Sequence, residues 1–234
     1  AALQTFVEHN DALAPVLQRV VHETAKMGAD HPDNYYQNAA ISGEHEYLIR
    51  GKRGTVHYLG FFTQKGNYGQ GRGMPPTGYL EGSDLQIEPD GSFEIIVSAE
   101  EKPGNWLPME KDTGTLIVRQ TRLDRENEMI ADLQIERIGG DGMPSSFDPV
   151  ACADGLTMSA GLVAGASMLF ASWAEGFKKN TNKLPRFDQN VSNMAGGVPD
   201  IAYYHSYWKL APDEALVIDA TPPECEHWNF QLNN

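Results

Sequence analysis

Arg119 has the setting that most invites chemistry. It stands in the run Thr115-Leu116-Ile117-Val118-Arg119, an otherwise apolar strand on which alternation gives it the same face as Ile117. If that face points inward, the guanidinium needs a carboxylate partner or an anionic ligand, because a bare buried charge is costly. One reading is an ion pair with one of the 32 Asp and Glu residues. The other is an anchor for a substrate carboxylate or oxyanion, which a planar guanidinium grips with paired donors. Tyr36 and His57 join it as candidates for acid–base work, so the catalytic candidates are His57, Arg119 and Tyr36. His57 has a counterpart in His227. The two imidazoles are either a metal-binding or acid–base pair that the fold brings together, or separate structural histidines.

Pro103-Gly104-Asn105-Trp106-Leu107-Pro108 sets an aromatic and an amide between two backbone restraints. Trp106 can stack on a ligand while Asn105 fixes its hydroxyls; alternatively Trp106 fills the sheet and Asn105 bonds the loop backbone. With Trp228 and Asn229 near the C-terminus, Asn105 and Trp106 make up the substrate-binding candidates. The glycine-rich segment 65–76 reads as a mobile lid or a plain connection. It is no phosphate loop, since Pro75-Pro76 stands where a helix should start and no Gly-Lys-Ser/Thr occurs. The seven histidines form no familiar metal spacing, so neither a metal nor a cofactor is expected. No Gly-x-Ser-x-Gly elbow or activated cysteine supports covalent catalysis.

Short strands must position these groups. Tyr35–Ile41, Tyr47–Arg50, Thr55–Gln64, Thr115–Thr121 and Asp132–Arg137 carry β-branched and aromatic residues between turn formers. Asp84–Glu88 and Phe93–Ser98 read as a hairpin about Pro89-Asp90-Gly91. Leu3–Met27 reads as a helix kinked at Pro15. A second helix, rich in small residues, follows the break at 139–142 and ends at Lys178-Lys179-Asn180. Without a βαβ rhythm, the expectation is a mainly β fold with α: antiparallel sandwich or jelly-roll-like sheets and two packing helices.

From Gly155 to Ala174 no residue is charged. That length approaches the roughly 20 residues of a membrane span. Large aliphatics are sparse there, which favours a helix buried in a soluble protein or a subunit contact. With 234 residues and a net charge of −14, the chain is long enough for a substantial core and repels phosphate backbones and anionic lipid, so neither nucleic acid nor a membrane is an expected partner. Cys152 and Cys225 are expected as two separate buried thiols rather than a bridge. No signal peptide is visible at the N-terminus, and a cytoplasmic location is the expectation.

The first unit begins to recur. Tyr35-Tyr36 aligns with Tyr203-Tyr204, Glu46 with Glu214 and Leu48 with Leu216; two extra residues near Pro222-Pro223 then set His57-Tyr58 against His227-Trp228. A full unit at 1–140 and a partial second one at 141–234 are expected; either the sequence is a fragment, or another copy or a partner chain completes the second unit.

Several blocks together resemble the family called domain of unknown function 1214. They include Pro32-Asp33-Asn34-Tyr35-Tyr36, Arg53-Gly54-Thr55-Val56, Pro103-Gly104-Asn105-Trp106-Leu107 and Leu116-Ile117-Val118-Arg119-Gln120. Tyr207-Trp208, Leu210-Ala211-Pro212-Asp213-Glu214-Ala215-Leu216 and His227-Trp228-Asn229-Phe230-Gln231-Leu232 continue the likeness, so it covers about residues 30–234. Members of the family usually continue with another Asn-Trp-Leu block and a closing strand. The resemblance implies a β-rich fold and supplies no catalytic set. The chemistry read from the residues themselves is acid–base work on a small, partly apolar, hydroxylated or carboxylated molecule; the alternative is a non-catalytic ligand-binding or assembly module.

Overall fold

A computed structural model describes residues 1–28, 30–66 and 73–233. Two four-stranded sheets face each other, as the sequence leads one to expect. The first contains β1 (Asn34–Ala40), β7 (Thr113–Thr121), β3 (Tyr58–Lys65) and β4 (Pro76–Glu81) in that order, antiparallel throughout. The second runs β6 (Trp106–Pro108), β5 (Ser92–Ser98), β2 (Tyr47–Lys52) and β8 (Asp132–Arg137), with one parallel pairing, β5 with β6. Between them lies a core of Ile49, Leu59, Phe61, Ile95, Val97, Leu107, Leu116 and Val118. Alternation in β7 sends Leu116, Val118 and Gln120 into this core and leaves Ile117 and Arg119 on the opposite face.

Gln120 is the polar member of the buried set. Its amide oxygen accepts from the Ala131 backbone N–H at 2.6 Å, and its NH2 donates to the Ala131 carbonyl at 3.2 Å. The side chain thus replaces a stretch of ladder between β7 and the chain entering β8, and satisfies a backbone segment that the core has cut off from water.

Four local expectations are corrected. Leu3–Met27 forms only a π-helical turn, Gln4–Glu8. Beyond it Asp11 turns the chain by accepting from the Leu13 N–H at 2.9 Å, and Gln18 exchanges backbone bonds with Asn38, so this segment runs along the edge of β1 instead of coiling. Asp84–Glu88 is not a strand. The turn forms, with Glu88 N–H donating to the Ser92 carbonyl at 2.8 Å, but Asn105 takes the place of a ladder partner farther along. The small-residue helix, α1 (Pro149–Phe177), is largely exposed instead of buried. Only Gly155, Ser159, Leu162 and Ala166 are enclosed, and Gly155 permits the approach of Phe6, whose carbonyl oxygen would stand 2.2 Å from an added Cβ. By length and composition α1 could cross a membrane, at a mean hydropathy of 1.4. Finally, no disulfide links the cysteines, but Cys225 is exposed, with Cys152 half-buried.

Asp148 caps α1, accepting from the Val150 N–H at 2.8 Å, with Pro149 at the first helical position. A short helix, α2 (Gln189–Met194), is capped the same way by Asp188. The segment aligned with the first unit, 203–231, has one isolated bridge, Tyr204 with Arg186, and no strand among the described residues. β1, β2 and β3 gain their ladders from β7, β5 and β8, whereas residues 203–231 join neither sheet among the described residues. Of the glycine-rich segment 65–76, residues 67–72 lie outside the described residues.

Gln120→Ala is expected to leave both Ala131 backbone groups unpartnered and to lower stability by about 2–3 kcal/mol, read from urea unfolding.

Candidate functional site

Arg119 pairs in register with Tyr36 on one side and Gly60 on the other, and Gly60 in turn with Glu81. This row crosses all four strands on the outer face of the first sheet. Next to it on the same face of β3 stand Tyr58 and Phe62, which flank Gly60 in the alternation. Gly60 leaves room for them: an added Cβ would lie 2.5 Å from the Tyr58 hydroxyl and 2.9 Å from the Phe62 ring. The guanidinium carbon of Arg119 sits 5.3 Å from the Tyr36 ring centre and 5.6 Å from that of Phe62, both within cation–π range.

The face is roofed by later parts of the chain. Val198 and Ile201 pack on Tyr58, Phe62, Tyr79 and Ile117. Tyr203 brings its hydroxyl to the guanidinium. No carboxylate forms an ion pair with Arg119 among the described residues, and its Nε is shut from solvent without a hydrogen-bond partner. The ion pair that the sequence offered as one explanation is therefore not seen. Burial works against the charge, while the neighbouring Tyr36, Tyr203 and Tyr58 favour it, Tyr203 through a hydrogen bond, and the guanidinium stays protonated. Burial in turn raises the Tyr58 and Tyr203 pKa values, so both phenols stay neutral, with the nearby Arg119 charge partly opposing the shift. Tyr79 is driven up by burial, then by Glu81 and by Tyr58, whose hydroxyl is 3.5 Å away.

His57 and His227 do come together. Their rings are 6.4 Å apart and nearly perpendicular, and the His227 ring lies 5.5 Å from that of Tyr58. His57 Nε2 is 2.8 Å from the Glu226 carbonyl, a contact that fixes the roof to the sheet. Arg53 holds the turn before β3 by donating to the Val56 carbonyl at 2.9 Å. Burial lowers the His227 pKa, and its neighbours His57, Arg119 and His31 push it further down against a weaker pull from Glu81. His227 is thus a neutral imidazole, an acceptor or base, beside a fixed cation. No group of three or more potential metal ligands occurs among the described residues.

The other candidates are elsewhere. Asn105 is engaged by the backbone: its oxygen accepts from Gln86 N–H at 2.7 Å, and its NH2 donates to the Gln86 and Glu94 carbonyls, each at 2.9 Å. Trp106 donates to Ser98 Oγ at 3.1 Å. Both belong to the second sheet or its approach. Trp228 and Asn229 are exposed beside His227. Reasoning from sequence did not single out Tyr58, Phe62, Tyr79 or Tyr203 as site residues. The available signal was the parity of Tyr58, Gly60 and Phe62, a second aromatic face on a strand whose other face is Leu59 and Phe61.

No family model matches the chain, and a search of curated proteins gives no significant match. Among solved structures, the crystal structure of an uncharacterized protein from Burkholderia cenocepacia is 48% identical and superposes with a TM-score of 0.87 over 91% of this chain. This chain spans 59% of that relative's length. VPA0106 from Vibrio parahaemolyticus aligns at 15% identity over 57% of this chain and 41% of its own, with a TM-score of 0.34, too low to carry a structural argument.

Two outcomes are expected. Asn105→Ala removes three backbone tethers and lowers stability by about 1–3 kcal/mol in urea unfolding. His227 has a folded pKa below its ordinary 6.5, as does His205 through burial. The unfolded chain therefore takes up protons first as pH falls through about 6.5, so stability is fully present above that value and declines until the folded imidazoles titrate. Unfolding midpoints measured across this range should fall with pH, less steeply for His227→Gln.

Proposed function

We propose that the Arg119 centre binds a small carboxylate with an apolar body and acts on it by acid–base chemistry. The observation that carries this reading is a guanidinium whose Nε is shut from solvent, with no carboxylate partner among the described residues, set beside two aromatic rings. A structural arginine in such a place would ordinarily be neutralised by an acid. Here a ligand carboxylate supplies the missing charge, the rings of Tyr36 and Phe62 flank its apolar part, and neutral His227 accepts a proton while a phenol donates one. Val198, Ile201 and Tyr203 must shift to admit the ligand, and their removal from water on closing excludes solvent from the reaction.

Kinship with the domain of unknown function 1214 is part of this reading and is supported by the sequence blocks. The cytoplasm is taken as the compartment, in keeping with two unbridged thiols. A second reading, an assembly module, draws on the exposed apolar side chains of α1, among them Leu156, Val163 and Met168.

Phenylacetate should raise the melting temperature saturably, and phenylacetamide, its neutral counterpart, should not. Arg119→Met should abolish the response while leaving the unliganded protein as stable as before or more so, because it removes a buried charge that lacks a counterion. Equal shifts from acid and amide, or a response that survives in the variant, would sink the proposal.

A further inference from the structure

A different pair of arginines also has Nε atoms shut from solvent without hydrogen-bond partners. Arg19 and Arg122 line a small cleft of about 180 Å³ at the edge of β1, together with Glu23, Pro32, Asp33, Asn34 and Tyr35. Arg19 meets Glu23 end-on through Nη1 and Nη2, at 3.4 and 3.2 Å, and its guanidinium lies 4.7 Å from the Tyr35 ring centre. Its Nε is buried and unpartnered, and so is that of Arg122. Arg122 makes no ion pair among the described residues. Only its backbone N–H is engaged, donating to the Asp33 carbonyl at 3.0 Å.

In Arg19 the edge left free by Glu23 is the one formed by Nε and its neighbouring Nη, and in Arg122 that edge is free together with the rest of the guanidinium among the described residues. That edge offers two parallel N–H groups and matches the two oxygens of a carboxylate. We propose that Arg19 and Arg122 form a second anion site, which takes a small monocarboxylate. The monoanion follows from charge: Arg19 and Arg122 line the cleft with Glu23 and Asp33, Glu23 is paired with Arg19, and Asp33 is paired with Arg125 from outside the lining and is close to His31. One positive charge remains, enough for a carboxylate and too little for a phosphate dianion. Size agrees, because the cleft is smaller than pockets for drug-sized ligands, roughly 300 Å³ and upward. Because each Nε–H is shut from solvent, the ligand reaches it only when the side chain turns toward the cleft. Asn34 joins this site to the first: it lines the cleft, and its NH2 donates to the Tyr36 hydroxyl at 2.8 Å.

The test is a titration of the 15N-labelled full chain with acetate, followed on the arginine Nε–H resonances, with chloride at matched ionic strength as control. Acetate should move the Arg19 and Arg122 signals saturably, chloride should not, and phosphate at alkaline pH should bind more weakly than acetate. Arg122→Gln should weaken the response at Arg19 at least about tenfold. If that variant loses its dispersed spectrum, Arg19→Gln read at Arg122 replaces it. A non-saturating drift, an equal effect of chloride, tighter phosphate binding or an unchanged response in the variant overturns the assignment. Movement confined to Arg119 also overturns it, and leaves the Arg119 proposal standing.

Discussion

Strand β3 meets water on neither face. Leu59 and Phe61 point into the core between the sheets, while Tyr58 and Phe62 point the other way, and all four are buried. An ordinary sandwich strand turns one side to solvent. Once β3 carries aromatics on both sides, a second layer has to cover the outer one, or a broad apolar surface is left in water. The chain around Val198–Tyr203 and Glu226–His227 is that layer. Its long excursion through α1 returns it to the same sheet.

Arg119 gives the layer a chemical character. Beneath apolar cover alone, the outer face would be a second hydrophobic core. A guanidinium at its centre changes the balance, since removing the charge from water is costly and ring faces with neutral phenols return only part of that cost. The same enclosure keeps His227 unprotonated. Cation and neutral base thus have their states set by one event, the exclusion of water.

Much of this arrangement is legible in the residues. Alternation in β7 gave Arg119 its face, and the limits of β8 follow directly from turn residues and side-chain type. The aligned segments set His57 against His227, and those rings do meet. What alternation cannot show is which partner waits across a face, so Arg119 read first as half of an ion pair. The N-terminal helix failed for a similar reason: apolar spacing at 3–27 suits a coil of helix, but an Asp11 turn, Pro15 and the free edge of β1 offer that segment other bonds. Asn105 took over ladder positions expected of Asp84–Glu88, a substitution of side chain for backbone that periodicity does not register.

The layer over the Arg119 face holds its place through side-chain packing and a few isolated hydrogen bonds, whereas the sheet below is laced by continuous ladders. Seal and scaffold are accordingly separate cooperative units. Amide protons in 198–231 should trade with solvent through small local openings, and those of β3 and β7 only through global unfolding. Exposure of the Arg119 guanidinium is then expected to follow local opening of this cover, without the sheets beneath it coming apart.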